Sequence, residues 1–357
     1  MSLDSGIIYY VSKKKTPENI LTSFAITWSV IASVFISVLF LFFFKDHTGT
    51  FSGYFLFFAC FTYITGTFLI TYFTALFYSR DDYKTSNLVA GIANLVLLLF
   101  IPWDNSWSGL VNVKTFFYIF FIVNFLMGAV LALVWLKREK TLIQLFRVKV
   151  NELSPVFRYS LTALIGNVSY FLLYRIDYWF VEYYCSAKSL GNYIQVSKLG
   201  QMLVLPAMIV AGILFPQSSK DNISFQTPFF KKMMLVVTTC YILGAVLVLL
   251  AGQPLILFLW GNEYDEMYCP LVILMPGIIF LSVSYLFSPI FSGLGKVKYN
   301  VYIALCTLLA VIIANFLLIP RWGIRGAALA TSIGFLLMMI LYIIIANKKS
   351  GLSLKKG

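Results

Sequence analysis

The sequence predicts an all-α polytopic membrane protein, with about ten transmembrane helices in two bundles (4 + 6) around a central cavity. Three observations carry this expectation. The chain of 357 residues is 60% hydrophobic and only 11% charged, whereas soluble globular chains are about 45–50% apolar and about 25% charged. Long apolar segments recur from end to end, each near the ~20 residues a helix needs to cross the hydrocarbon of a bilayer. They are also far longer than the ~9–11 residues of an alternating barrel strand.

Candidate spans fall at about 20–44, 51–78, 86–103, 115–136, 157–183, 188–215, 229–258, 267–290, 298–319 and 324–346. The third is the weakest, because IPWDNSW cuts it short. The run 229–258 exceeds one crossing, so a tilt or a kink near Gly252 and Pro254 is expected. Pro206 should bend the sixth span, and Pro216 marks its end. Gly326, Ala330 and Gly334 put small residues at four-residue spacing in the last span, where backbones can approach closely.

Charge distribution sets the orientation. With the N-terminus inside and the spans alternating, inside segments collect Lys13 to Lys15, Arg80 and Lys84. They also collect the basic run from Lys137 to Arg158, Lys220 with Lys231 and Lys232, Lys296 with Lys298, and the C-terminal lysines. Outside segments hold Lys45, Lys114, Lys188, Arg321 and Arg325. This asymmetry of about fourfold predicts a multi-pass membrane protein of ten spans with both termini cytoplasmic. It also accounts for the net charge of +13 without a nucleic-acid partner.

The expected domains are an N-terminal bundle of four spans (1–137), a basic cytoplasmic linker (138–156) and a C-terminal bundle of six spans (157–357). The opening GIIYYVSKKK reads as the end of a helix meeting a basic loop, too short to span. Two further helices are expected upstream of it.

Catalytic and metal constellations are absent from the sequence. Cys60, Cys185, Cys240, Cys269 and Cys306 are scattered, mostly in apolar runs, and read as small hydrophobes. One histidine, His47, cannot build a zinc cluster or a histidine triad. Neither a phosphate-binding loop nor a dinucleotide fingerprint occurs. The expectation is therefore a protein that is not an enzyme and has no cofactor.

Chemistry concentrates in the hairpin from Val156 to Lys220, where Arg175, Asp177 and Lys198 lie at membrane depth. A charge there costs at least about 2.5–3.5 kcal/mol, so it should face a bundle interior or a wet cavity. On a helical wheel Asn167, Tyr170, Tyr174, Asp177 and Tyr178 share a face, while Arg175 points away. In the next span Asn192, Gln195, Lys198 and Gln201 form a spiralling polar stripe. A turn centred near Ala187 would set Asp177 level with Gln195 and Lys198. Two readings follow: Asp177 pairs with a neighbouring base and pins two helices, or the surplus positive charge attracts an anionic substrate while Asp177 tunes the bases or takes a proton. The candidate cavity residues are Asn167, Tyr170, Tyr174, Arg175, Asp177, Gln195, Lys198 and Gln201.

This hairpin, with the later WGNEY turn, the FSGLGK loop and LIPRWGIRGAALAT before the last helix, resembles in order and spacing the Wzx-type polysaccharide flippases. That family belongs to the multidrug/oligosaccharidyl-lipid/polysaccharide exporter superfamily. The resemblance covers about 157–346, the first half matching mainly by helix pattern, and relatives carry twelve or more helices. It implies a carrier that flips undecaprenyl-pyrophosphate-linked oligosaccharide repeat units across a bacterial inner membrane for O-antigen, capsule or exopolysaccharide synthesis. It further implies alternating access driven by H+ or Na+, and partners that include membrane lipids and the polysaccharide polymerase machinery. By position, Arg175, Asp177 and Lys198 would line the cavity. A drug/cation antiporter, a lipid II flippase of the same superfamily and an inactive truncated remnant are the competing readings. A polymerase would need a large outside loop, and no outside loop here exceeds about a dozen residues.

Overall fold

A computed structural model describes residues 2–44, 53–100, 113–139, 150–220 and 225–353. His47, the IPWDNSW segment, most of the expected linker and the last residues lie outside them. The described residues form helices α1 (Leu3–Ser12), α2 (Glu18–Phe44), α3 (Gly53–Ser79), α4 (Tyr83–Leu99), α5 (Val113–Glu139) and α6 (Val150–Leu173). Then follow α7 (Ile176–Tyr184), α8 (Ala187–Ser219), α9 (Pro228–Trp260), a 3₁₀ turn (Asn262–Met267), α10 (Tyr268–Gly293) and α11 (Val297–Ser353). No strand occurs among them.

Eight described helical segments are long and apolar enough to cross a membrane, and α4, at 17 residues, is shorter. Val297–Lys348 counts once among the eight, yet it folds back at Gly323, whose φ of 55° suits a residue without Cβ. Each of the ten expected spans therefore finds a helix, and the chain is an all-α, multi-pass membrane protein. One expectation needs correcting: the fifth span is not a single helix but α6 and α7, separated at Tyr174 and Arg175.

The chain divides into two compact units inside α6, between Arg158 and Tyr159. Residues 150–156, expected as part of the linker, lie in α6, and Leu153 and Val156 are buried in the core of the first unit.

In that first unit α3 is central, touching α1, α2, α4 and α5. Its contact with α5 is backbone to backbone. A Cβ on Gly66 would lie 2.8 Å from Phe125 Cα, and one on Gly128 2.7 Å from Gly66 O. Helices in lipid gain by such close approach because apolar side chains alone give no advantage over lipid tails. Two serines of α2 bond back to their own helix, Ser29 Oγ to Ala25 O at 2.7 Å and Ser33 Oγ to Ser29 O at 2.5 Å. One end of the unit is tied by charge. Arg80 bridges Glu18 and Glu139, Arg138 meets Asp82 at 2.6 Å, and the buried Trp135 donates to Thr22 at 3.1 Å.

The second unit centres on α10, which packs on α8, α9 and α11. Its core runs through Leu281, Leu286, Ile290 and Phe291 to Val311, Ala328 and Met338. Small residues set the spacing: Gly277 would clash with Ser332, Gly293 with Ser218, Gly334 with Val311, and Gly326 with Leu318 O if any carried a Cβ. Three of these sit on or against α11, consistent with the expected small-residue stripe. All five cysteines are free.

Candidate functional site

The site begins where α6 stops. Tyr174 N–H donates to Tyr170 O at 3.3 Å and Phe171 O at 3.2 Å, and Arg175 N–H to Leu172 O at 3.0 Å. Arg175 then leaves helical geometry at φ −130°, ψ −22°, and α7 starts anew. This tightening of the last turn satisfies carbonyls that a helix end would otherwise leave open. No proline or glycine marks the position, so the wheel drawn through it was continuous where the chain is not.

The break delivers Asp177 to the first turn of α7, 2% exposed. Its Oδ2 accepts from the Tyr193 hydroxyl of α8 and from Thr331 Oγ1 of α11 at 3.3 Å. Its Oδ1 has no partner among the described residues. Asp177, Tyr174, Tyr193, Ser197, Gln201 and Thr331 supply the polar lining of a small cavity of about 20 Å³. Apolar side chains such as Leu281 and Phe335 close the remainder.

Two of the expected relationships need correction. Asp177 forms no ion pair with Lys198 or Arg175 among the described residues. The α7–α8 turn is made by Cys185 and Ser186, nearer the N-terminus than Ala187, and this moves the residue opposite Asp177 back from the Gln195–Lys198 level to Tyr193. Arg175 instead stacks over Tyr178, its guanidinium carbon 5.2 Å from the ring centroid, and donates to that hydroxyl at 3.3 Å. Lys198 is exposed on the surface of this unit and Gln195 is half-buried.

The remaining candidates divide. Tyr174 and Gln201 join Asp177 at the cavity, and Gln201 Nε2 donates to Ser197 Oγ at 3.3 Å. Tyr170 does not line it; its hydroxyl meets that of Tyr342 at 2.9 Å, and Tyr342 donates to Asn300 Oδ1 at 3.2 Å. Tyr174 is similarly paired with Tyr285 at 3.0 Å. Asn167 is exposed and donates to Ser2 Oγ at 2.8 Å. The stripe on α8 spreads over several environments because steps of three residues rotate by about −60° each: Asn192 is buried against Glu263 O, while Lys198 faces out.

Sequence reasoning missed Tyr193 and Thr331. Tyr193 becomes visible once the turn is centred on Cys185 and Ser186. Thr331 only ends the GIRGAALAT segment, outside the stripe of Gly326, Ala330 and Gly334, and nothing local ties it to a carboxylate 154 residues away. Asn315 was also missed: it is fully buried in α11, and neither polar atom of its side chain has a partner among the described residues.

No family model matches the chain. A stretch of 112 residues is 31% identical to the capsular polysaccharide biosynthesis protein CapF of Staphylococcus aureus, covering 31% of this chain and 28% of CapF. A stretch of 201 residues is 26% identical to an uncharacterized membrane protein of Methanocaldococcus jannaschii, covering 54% of this chain and 39% of that protein. The matched region thus spans well under half the length of either curated relative. Solved structures align over far more. The Vibrio cholerae MATE transporter VcmN superposes with a TM-score of 0.80 at 14% identity, over 98% of this chain and 83% of that one. A MOP superfamily transporter from Pyrococcus furiosus, described by the reverse polarity of its binding pocket, gives 0.76 at 12% identity, over 100% and 85%. This multi-pass membrane chain is built on the fold of the MATE transporters of the MOP superfamily.

Proposed function

We propose that the protein is a flippase that carries an undecaprenyl-pyrophosphate-linked oligosaccharide repeat unit across a bacterial inner membrane for surface polysaccharide synthesis. The observation that carries this reading is Lys198, a lysine within the crossing helix α8, exposed on its own unit and without an acidic partner among the described residues. A cation at that depth is tolerated beside water or an anionic ligand, not beside lipid. With Arg175 also free of any carboxylate among the described residues, the surplus charge suits a pyrophosphate or an acidic sugar. The match to a capsular polysaccharide protein supports the same cargo.

Asp177 takes the coupling role. Both hydroxyl donors act on one of its oxygens, so the other is left for H+ or Na+. Binding there neutralises the carboxylate, loosens its hold on Tyr193 and Thr331, and so changes what joins α7 to α8 and α11. Movement of a lipid-linked sugar breaks no bond, so no catalytic group is required.

A second reading, a drug or cation antiporter, is supported by the fold of the MATE neighbours. The two differ in the sign of charge they need, and the Pyrococcus neighbour is one case where pocket polarity is reversed within this fold. The deciding experiment deletes the gene and extracts lipid-linked oligosaccharides. Accumulated repeat units and lost surface polysaccharide, restored by this chain, support the flippase. Unchanged lipids with increased drug sensitivity support the antiporter.

A further inference from the structure

We propose that α8 bends at Pro206 and that the hydroxyl of Tyr241, on α9, is the group that makes a hinge there possible inside the membrane. In an uninterrupted helix the N–H of residue 207 bonds the carbonyl of residue 203 directly. Here the Ala207 N–H donates to the Tyr241 hydroxyl at 3.2 Å, and that hydroxyl donates to Leu203 O at 2.9 Å. A side chain of the neighbouring helix therefore bridges the two backbone groups that would otherwise depend on each other. One residue earlier, Pro206 brings no N–H and removes the helical donor of Met202 O.

The location gives this arrangement its force. In water, a bend that opens the backbone ladder is compensated by solvent. In hydrocarbon no water is present, and each unsatisfied group costs several kcal/mol. A tyrosine hydroxyl has one hydrogen to give and lone pairs to receive, so Tyr241 can serve Leu203 and Ala207 whether or not they also meet each other. Proline is an identifiable cause of helix kinks; α8 has one at this point, and beside it a side chain that hydrogen-bonds the ladder on both sides.

The two arms of α8 are anchored to different neighbours. Beyond the hinge, Ser218 Oγ donates to Pro289 O at 3.1 Å, and Gly293 of α10 is packed so closely that a Cβ there would lie 2.7 Å from Ser219 N. That arm is fixed to α10. The other arm carries Ser197 and Gln201 on the Asp177 cavity and Lys198 on the exposed face. Its far end is tied to the 3₁₀ turn by Asn192 Nδ2 to Glu263 O at 3.3 Å, Ser189 Oγ to Glu266 at 2.9 Å and Lys188 to Asp265 at 3.2 Å, and to α7 by the Tyr193 hydroxyl on Asp177. A bend at Pro206 moves this arm, with the 3₁₀ turn and α7 partners bonded to it, relative to the arm fixed on α10, and it takes the polar groups of α8 with it.

The test reads conformation and needs no cargo, so it stands apart from the assignment of the flippase. Spin labels are placed at Ala187→Cys and Lys298→Cys, both exposed and both in the second unit, in a background lacking the native cysteines. Distances are measured by pulsed electron resonance on the full chain in lipid nanodiscs. The hinge predicts two resolved or one broad distance population, collapsing to a single narrow one in Tyr241→Phe and likewise in Pro206→Ala. The double variant should add nothing further. The proposal is overturned by one narrow population in the parent protein, or by distributions that neither substitution changes. It is equally overturned if Tyr241→Phe has its full effect in the Pro206→Ala background. Should Tyr241→Phe not be recovered folded, Pro206→Ala alone decides, because a static kink leaves the width unchanged.

Discussion

The hydroxyl of Tyr193 donates to the carboxylate of Asp177 across the short turn between α7 and α8. Removing that hydroxyl strips one of two donors from a buried acid. Tyr193→Phe should cost about 1.5–3 kcal/mol, the range for hydrogen bonds to charged groups, read as a lower melting temperature in detergent. In an Asp177→Asn background the same change should cost clearly less. An equal cost in both backgrounds would mean that Tyr193 acts through packing alone.

Lys198 and Asp177 are expected to separate function from folding. Lys198→Ala should leave membrane insertion and melting temperature unchanged, since the side chain is exposed and unpaired among the described residues. Transport should fall by about tenfold or more, the equivalent of losing one charge-assisted contact. Asp177→Asn should likewise insert but transport poorly. Loss of stable protein in either variant would favour a purely structural role, and normal transport in both would remove them from the site.

Gly66 tests the first unit. A methyl at this position meets the Phe125 backbone at 2.8 Å, and backbone cannot rotate away as a side chain can. Gly66→Ala should therefore lower the melting temperature by the equivalent of about 1–3 kcal/mol, as overpacking does. Gly91→Ala is the control, because nothing lies within 4 Å of its would-be Cβ.

Acid should loosen one end of that unit. Burial would raise the Asp82 carboxyl, but hydrogen bonds from Thr85 and the Arg138 guanidinium outweigh it and hold the group below its ordinary value. A carboxyl lowered in the folded state adds stability above its unfolded pKa of about 3.9, and that stability is lost as pH falls through the lowered folded value. Melting curves below about pH 4 should show this loss, reduced in Asp82→Asn. A slope unchanged by the substitution would assign the acid sensitivity elsewhere.

The fold was legible because hydrocarbon imposes a long, simple signal: apolar runs, basic segments and glycines at four-residue spacing each have one physical meaning. The site was only partly legible. Asp177 emerges from its cost at membrane depth, Tyr174 from the face it shares with Asp177 and Gln201 from the polar stripe, and the three do meet at one cavity. Lys198, three residues from Gln201, does not, because helical rotation carries it to another face. The break at Tyr174 and Arg175 has no breaker residue to announce it; Asp177 beyond it is held by Tyr193 and Thr331, and Thr331 lies 154 positions along the chain. A wheel contains one helix, and this carboxylate is held by partners on two others.

The interruption between α6 and α7 also settles how two opposite charges are tolerated so near each other. Every helix carries a partial positive charge at its start and a partial negative charge at its end. Arg175 follows the end of α6, and Asp177 lies in the first turn of α7. Asp177 therefore sits where the local backbone field opposes its own sign, whereas Arg175, also the N-cap of α7, lies between the two fields and rests on the Tyr178 ring. Fusing α6 and α7 into one unbroken cylinder would place Asp177 in mid-helix, where that compensation vanishes.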